Sequence, residues 1–132
     1  LMRKRLVYLL PMMTLFTNSL SELRCESCIR PMAHVCEMVT EAYFKKKDLV
    51  FIKNIADEHL EKIMITCFDW LISPMNMAPK VFSMTSLYYL GQKFDWVHPE
   101  LKQVLQDTYA DGTPGYRNRA KKTLDKLARL GH

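Results

Sequence analysis

Helix-breaking residues are scarce in this sequence. Its 132 residues include only four glycines and six prolines, which argues against a turn-rich β fold and against a disordered chain. No run of 18 or more uncharged apolar residues is present, so we expect no transmembrane helix. The sequence also lacks a glycine-rich phosphate loop, a metalloprotease helix motif and a paired-acid motif. We therefore predict no catalytic residue, no cofactor and no resident metal.

The most apolar part of the chain is residues 58–94. It is predicted to form two long helices that fold back on each other at residues 73–76. The first helix has a wide apolar face and a second one formed by Ile65 and Ile72, a pattern typical of a helix sandwiched between two layers. The second helix, residues 77–93, is apolar nearly all round. We expect this pair to be the middle layer of an all-α stack.

The N-terminal part is predicted to contain two helices with kinks. Residues 1–18 can be helical with a kink at Pro11, and Ser21 can cap the helix that follows, residues 22–46. That second helix is amphipathic, and Glu37 lies on its polar side together with Glu41. Its apolar stripe carries three cysteines: Cys25, Cys28 and Cys36.

Shorter elements complete the pattern. Residues 48–56 are interpreted as a packed linker or a helical turn, and Asp57 is predicted to cap the next helix. Pro99 suits the first position of a short helix. Thr113 and Pro114 supply the cap and first residue of the last helix, which has a single apolar face. A one-sided helix at the end of a stack is typical of a cap against solvent.

Two interpretations of the N-terminus stay open. Basic residues at positions 3–5 precede the apolar run 6–16, as in a signal peptide. A structural helix is favoured, because Pro11 interrupts the run and the cleavage site is poor. Since the chain opens directly into this helix, we expect an incomplete N-terminus with preceding repeats missing.

Three helix pairs follow one another along the chain, at about 1–46, 57–94 and 99–130. Their starts are roughly 40 to 56 residues apart, near the period of HEAT repeats. This spacing favours an α-α superhelix of about three antiparallel helix pairs, in a single domain spanning the whole chain.

Four segments strengthen this interpretation: IRPMAHVCEM (29–38), CFDWLIS (67–73), residues 78–105 and residues 113–127. They resemble bacterial HEAT-like repeat proteins of unassigned function, in particular their C-terminal part. The resemblance covers nearly the whole chain and is weakest over residues 1–20 and 44–56. It implies a packing arrangement and brings no catalytic residues with it.

Basic residues are concentrated at the C-terminus. Residues 114–132 hold six lysines and arginines and one acid, so this segment accounts for the whole net charge of +5. The solvated face of a terminal helix explains these charges best, and contact with phosphates or with an acidic partner is the alternative. The candidate contact residues are Arg117, Arg119, Lys121, Lys122, Lys126 and Arg129.

The tripeptide Phe-Asp-Trp occurs twice, at 68–70 and 94–96. Paired acids and aromatics of this kind resemble those of alkylpurine DNA glycosylases built from HEAT-like repeats, which implies base-damage chemistry from Asp69 or Asp95. The favoured interpretation is that Trp70 and Trp96 fill the core between repeats.

The spacing of Cys25 and Cys28 also fits a metal site. An all-cysteine zinc site with Cys36 and Cys67 can be drawn, but buried, reduced thiols are favoured, because a continuous helix must also pack.

The sequence thus predicts a cytoplasmic, non-enzymatic scaffold with a protein partner. Nucleic-acid binding through the basic last helix is the alternative function.

Overall fold

The computed structural model describes residues 6–20, 22–23, 25–73 and 77–131. Within these ranges the protein has seven α-helices and no β-strand, which confirms the all-α prediction. The helices are α1 (Met13–Leu20), α2 (Glu26–Thr40), α3 (Leu49–Asn54), α4 (Asp57–Ile72), α5 (Met77–Leu90), α6 (Val97–Thr108) and α7 (Pro114–Arg129). A short 3-10 helix, Leu10–Met12, precedes α1, and a π-helical segment, Glu41–Lys45, continues α2.

Helix starts agree with the predictions in some places and differ in others. The Thr113 side chain accepts a hydrogen bond from the Tyr116 amide, as predicted for the cap of α7. Asp57 does not cap α4; it forms an ion pair with Lys93 at 2.9 Å. The cap residue of α4 is Ala56, whose amide donates to Nδ1 of His59. Because a histidine side chain can satisfy an amide at the start of a helix, the usual cap residues were not needed here.

Other predicted boundaries shift by a few residues. Helix α2 begins after Cys25 rather than at residue 22, and Pro99 is the third residue of α6 rather than its first. The connector 48–56 forms the helical turn α3, which Asp48 caps. The predicted cap Ser21 and the turn residues 74–76 lie outside the described residues.

Helix α5 is the centre of the packing. It contacts α2, α4, α6, α7 and the π-helical segment. Apolar residues on several of its sides are fully buried, among them Met84, Leu87 and Leu90. Ser83 and Ser86 are buried too, and their hydroxyls donate to carbonyls one turn earlier in the same helix. These small, internally satisfied side chains allow neighbouring helices to approach closely. The prediction of an interior helix is confirmed.

Helix α4 has the two apolar faces that its sequence predicts, but only one of them is covered. Its inner face is buried, whereas Ile65 and Ile72 are 57% and 63% exposed. The expectation that α4 is sandwiched between two layers is therefore wrong for the described part of the chain. Leu130, whose position continues the apolar face of the last helix, is also exposed, because α7 ends at Arg129.

None of the helices among the described residues is both long enough and apolar enough to span a membrane.

The contact between Gly91 and His98 offers a test of the packing around α5. The His98 ring is buried, and its Nε2 donates a hydrogen bond to the Tyr88 carbonyl at 2.8 Å. A Cβ added at Gly91 would overlap this ring. We expect Gly91→Ala to lower the free energy of unfolding by about 1–3 kcal/mol, as overpacking does elsewhere.

The matched control is Gly115→Ala. A Cβ at Gly115 meets no atom within 4 Å, and this residue lies in the first turn of α7. We expect that variant to be as stable as the parent or up to about 1 kcal/mol more stable. Urea unfolding of the three proteins measures both effects, and equal stability of the Gly91 variant and the parent would contradict the packing described for His98.

Candidate binding cleft

A cleft lies where α2 and its π-helical continuation, α5 and α7 come together. Its volume is about 340 Å³. Each of these elements contributes polar side chains to it. The lining residues are Glu37, Glu41, Lys45, Thr85, Tyr88, Tyr89, Arg119, Lys122, Thr123 and Lys126. We call this site the cleft.

Three of the six basic residues singled out in the sequence line the cleft. They are Arg119, Lys122 and Lys126. At about 100° per residue, these positions fall within about 60° of one another on α7. The buried face of the same helix points towards α5 and α6, which places this basic stripe at the edge of the contact with α5.

The other three basic residues do not line the cleft. Arg117, Lys121 and Arg129 are exposed elsewhere on α7. Lys45, from the π-helical segment, supplies a fourth cation that the sequence analysis did not select. The only signal for Lys45 was a short lysine run at a predicted helix end. Cations are common at that position because they interact favourably with the negative end of the helix dipole.

Two of the cations are positioned by α5. The Arg119 Nη1 donates to the Thr85 hydroxyl at 3.0 Å. The Lys126 Nζ lies 5.4 Å from the centre of the Tyr88 ring, a cation–π distance. Both charged groups are thereby held against the α5 wall of the cleft.

The acids of the cleft are not paired with its cations. In the part of the chain that the structure describes, no ion pair joins Glu37 or Glu41 to a basic residue. One carboxylate oxygen of Glu37, Oε2, is buried and has no hydrogen-bond partner. The sequence predicted a solvated position for Glu37. Its helix face points into the cleft instead, because α7 packs on α5 beside α2.

Burial raises the pKa of Glu37, because it disfavours the charged form. The charges of Arg119 and His34 and a side-chain hydrogen bond with Thr85 act in the opposite direction, and Glu41 reinforces the increase. Burial also raises the pKa of Tyr89, and the two glutamates add to that increase. The Tyr89 phenol therefore stays neutral at ordinary pH and can donate a hydrogen bond to a ligand.

The two Phe-Asp-Trp segments meet elsewhere in the fold. The rings of Phe68 and Trp96 stack with centroids 5.6 Å apart. Trp70 is buried, as the packing interpretation predicts, whereas Trp96 is 52% exposed. Asp69 is exposed and lies outside the cleft, as does Asp95.

The four cysteines divide into two groups. Cys25 and Cys28 are exposed, so the prediction that both lie on a packed apolar stripe is wrong. Cys36 and Cys67 are buried. A hydrogen bond with Cys67 and burial hold the pKa of Cys36 well above its usual value, which keeps that thiol protonated. Among the described residues, no group of three or more histidine, cysteine or acidic side chains is arranged to hold a metal ion.

Comparison with known proteins gives no relative: no family model, no curated protein and no solved structure matches the chain.

The partly buried carboxylate of Glu37 leads to a prediction about stability. Its pKa in the folded protein is raised above the ordinary value of 4.5. The contribution of Glu37 to folding is therefore most favourable below pH 4.5, and it is lost as the pH rises through the raised pKa. At pH 8 we expect the free energy of unfolding of Glu37→Gln to exceed that of the parent by about 1 kcal/mol. This difference should shrink towards pH 4.5, where Glu37 is increasingly protonated in both states.

Urea unfolding at several pH values measures this difference. Glu61→Gln, at an exposed position of α4 outside the cleft, is the control and should not show it. A variant at Glu37 that is clearly less stable than the parent at pH 8 would mean that the carboxylate has a stabilising partner in the folded protein.

Proposed function

We propose that the protein is a cytoplasmic, non-enzymatic scaffold with a HEAT-like arrangement of helix pairs, and that its cleft binds an acidic segment of a partner protein. Some of the contacts among the described helices support the arrangement, although α1 and α2, the first predicted pair, have little contact with each other. Helices α2, α5 and α7 contact one another in sequence, and α1 contacts α4. In a stack of helix pairs, the second helices of successive pairs lie side by side in a row. Here these second helices are α2, α5 and α7.

The single observation that carries the proposal is the position of the cleft on this row. All three second helices, with the π-helical segment that continues α2, contribute lining residues, and none comes from α1, α4 or α6. Stacked helical repeats use such a continuous surface to hold an extended partner. A partner segment lying along the cleft would cross α2, α5 and α7 in turn.

The charge of the cleft indicates the chemistry of the partner. Four basic side chains line it, from α7 and the π-helical segment, against two acids. Tyr88 and Tyr89 supply aromatic surface and hydroxyl groups between them. Carboxylates of a partner can bind the cations and accept a hydrogen bond from a neutral tyrosine. A segment rich in Asp and Glu fits this lining.

Nucleic-acid binding is the second candidate, and one observation favours it. The three basic residues that lie outside the cleft are exposed as well, so α7 presents cations over a wide part of its surface. Contacts with phosphates would use all six residues and would weaken with salt through counterion release.

Two triple charge reversals on α7 separate these functions. The first changes the cleft residues: Arg119→Glu, Lys122→Glu and Lys126→Glu. The second changes the residues outside the cleft: Arg117→Glu, Lys121→Glu and Arg129→Glu. Both alter the net charge equally on the same helix. The ligands are a fluorescein-labelled peptide of six glutamates and a short DNA duplex, each titrated at two salt concentrations.

We expect the parent protein to bind the acidic peptide, and the cleft triple to weaken this binding by about tenfold or more. The triple variant outside the cleft should change the affinity for the peptide by about twofold at most. No binding of the peptide, or equal losses in both triples, would overturn the proposal. Strong salt-dependent binding of DNA that both triples abolish would establish the second candidate in its place.

A further inference from the structure

The cleft contains one acceptor that the protein itself leaves unsatisfied. Glu37 Oε2 is buried and has no hydrogen-bond partner, although more basic than acidic side chains line the cleft. A buried polar atom without a partner is costly, and more so when it is charged. A cation held beside such a carboxylate offsets part of this cost.

The nearby cations are engaged in other directions. Arg119 donates to Thr85, and Lys126 lies over the Tyr88 ring. Arg119 is close enough to Glu37 to favour its ionised form, yet no ion pair joins the two. The cleft therefore presents separate positive and negative sites to an incoming ligand.

We propose that the partner segment carries a lysine or arginine between acidic residues, and that this cation donates to Glu37 while the flanking carboxylates bind the basic side chains of α7. This inference rests on the proposed function and makes the partner more specific. A cation in this position offsets the charge of the Glu37 carboxylate, which lines the cleft without an ion-pair partner among the described residues, and is attracted by Glu41 as well. A volume of 340 Å³ holds roughly ten water molecules, which is enough for one long side chain with neighbouring carboxylates.

The charged and polar groups around Glu37 influence its protonation, and so the pH range in which the contact forms. His34 and Glu41 interact with it from its own helix and the π-helical segment, Thr85 from α5, and Arg119 from α7. Tyr89 lies near both glutamates on α5. The cation binds most strongly when Glu37 is ionised, so the preference for it should fall on acidification as Glu37 becomes protonated.

A double-mutant cycle between protein and peptide tests the contact. Two peptides are compared, each with three glutamates on either side of a central residue. The central residue is lysine in one and glutamine in the other. Each is titrated against the parent and against Glu37→Gln at pH 8, with Glu61→Gln as the control. Circular dichroism verifies that both variants are folded.

We expect the parent to bind the lysine peptide about tenfold more tightly than the glutamine peptide, although its net negative charge is smaller. In the Glu37 variant this ratio should fall to about twofold or less, and in the Glu61 variant it should be unchanged.

The alternative results have distinct meanings. Equal binding of the two peptides by the parent overturns this inference and leaves the acidic-segment proposal intact. A lysine preference that persists in the Glu37 variant also overturns it, because the cation is then held elsewhere. If neither peptide binds the parent, both this inference and the proposed function are wrong.

Discussion

Helix α5 is buried on nearly all sides, and the other helices are positioned by covering it. A helix that is apolar all round is stable only if other helices cover it, and α2, α4, α6 and α7 do so. Truncating one buried leucine or methionine in such a helix costs about 2–5 kcal/mol, and a domain of this size is stable by only about 5–15 kcal/mol. Two such changes would remove most of the stability, so the positions of the surrounding helices are strongly coupled to α5.

The cleft follows from the same constraint. Helix α5 has polar or amphipathic side chains at Thr85, Tyr88 and Tyr89 on the side where α2 and α7 flank it. The two flanking helices cover the apolar sides and leave a gap over these three residues. Covering α5 in this way brings the basic stripe of α7 opposite the acids of α2. The opposite charges then face each other across a gap without forming ion pairs in the described part of the chain.

Much of the fold could be predicted from local signals. The helical character of the long segments follows from apolar periodicity, and the start of α7 follows from Thr113 and Pro114. The π-helical segment gave no such signal, and α3 was left open between a linker and a helical turn. Apolar periodicity does not show how many other helices pack against a given helix. Ile65 and Ile72 form a true second apolar face on α4, yet nothing in the described residues covers them.

The same limit explains what the sequence missed at the cleft. Glu37 is polar and lies opposite the apolar stripe of its helix, so a position in solvent was the natural prediction. Only the packing of α7 beside α2 turns that face into the wall of a cleft. The six basic residues all lie on α7, but their division between the cleft and the outer surface depends on how α7 is rotated against α5.

Backbone amide chemical shifts, measured while the acidic peptide of six glutamates is added, report the location of binding residue by residue. If the peptide binds in the cleft, the largest changes fall in three separate segments, 37–45, 85–89 and 119–126, which come together only in the folded protein. Changes centred on Arg117, Lys121 and Arg129, or on the exposed face of α4, would contradict binding in the cleft.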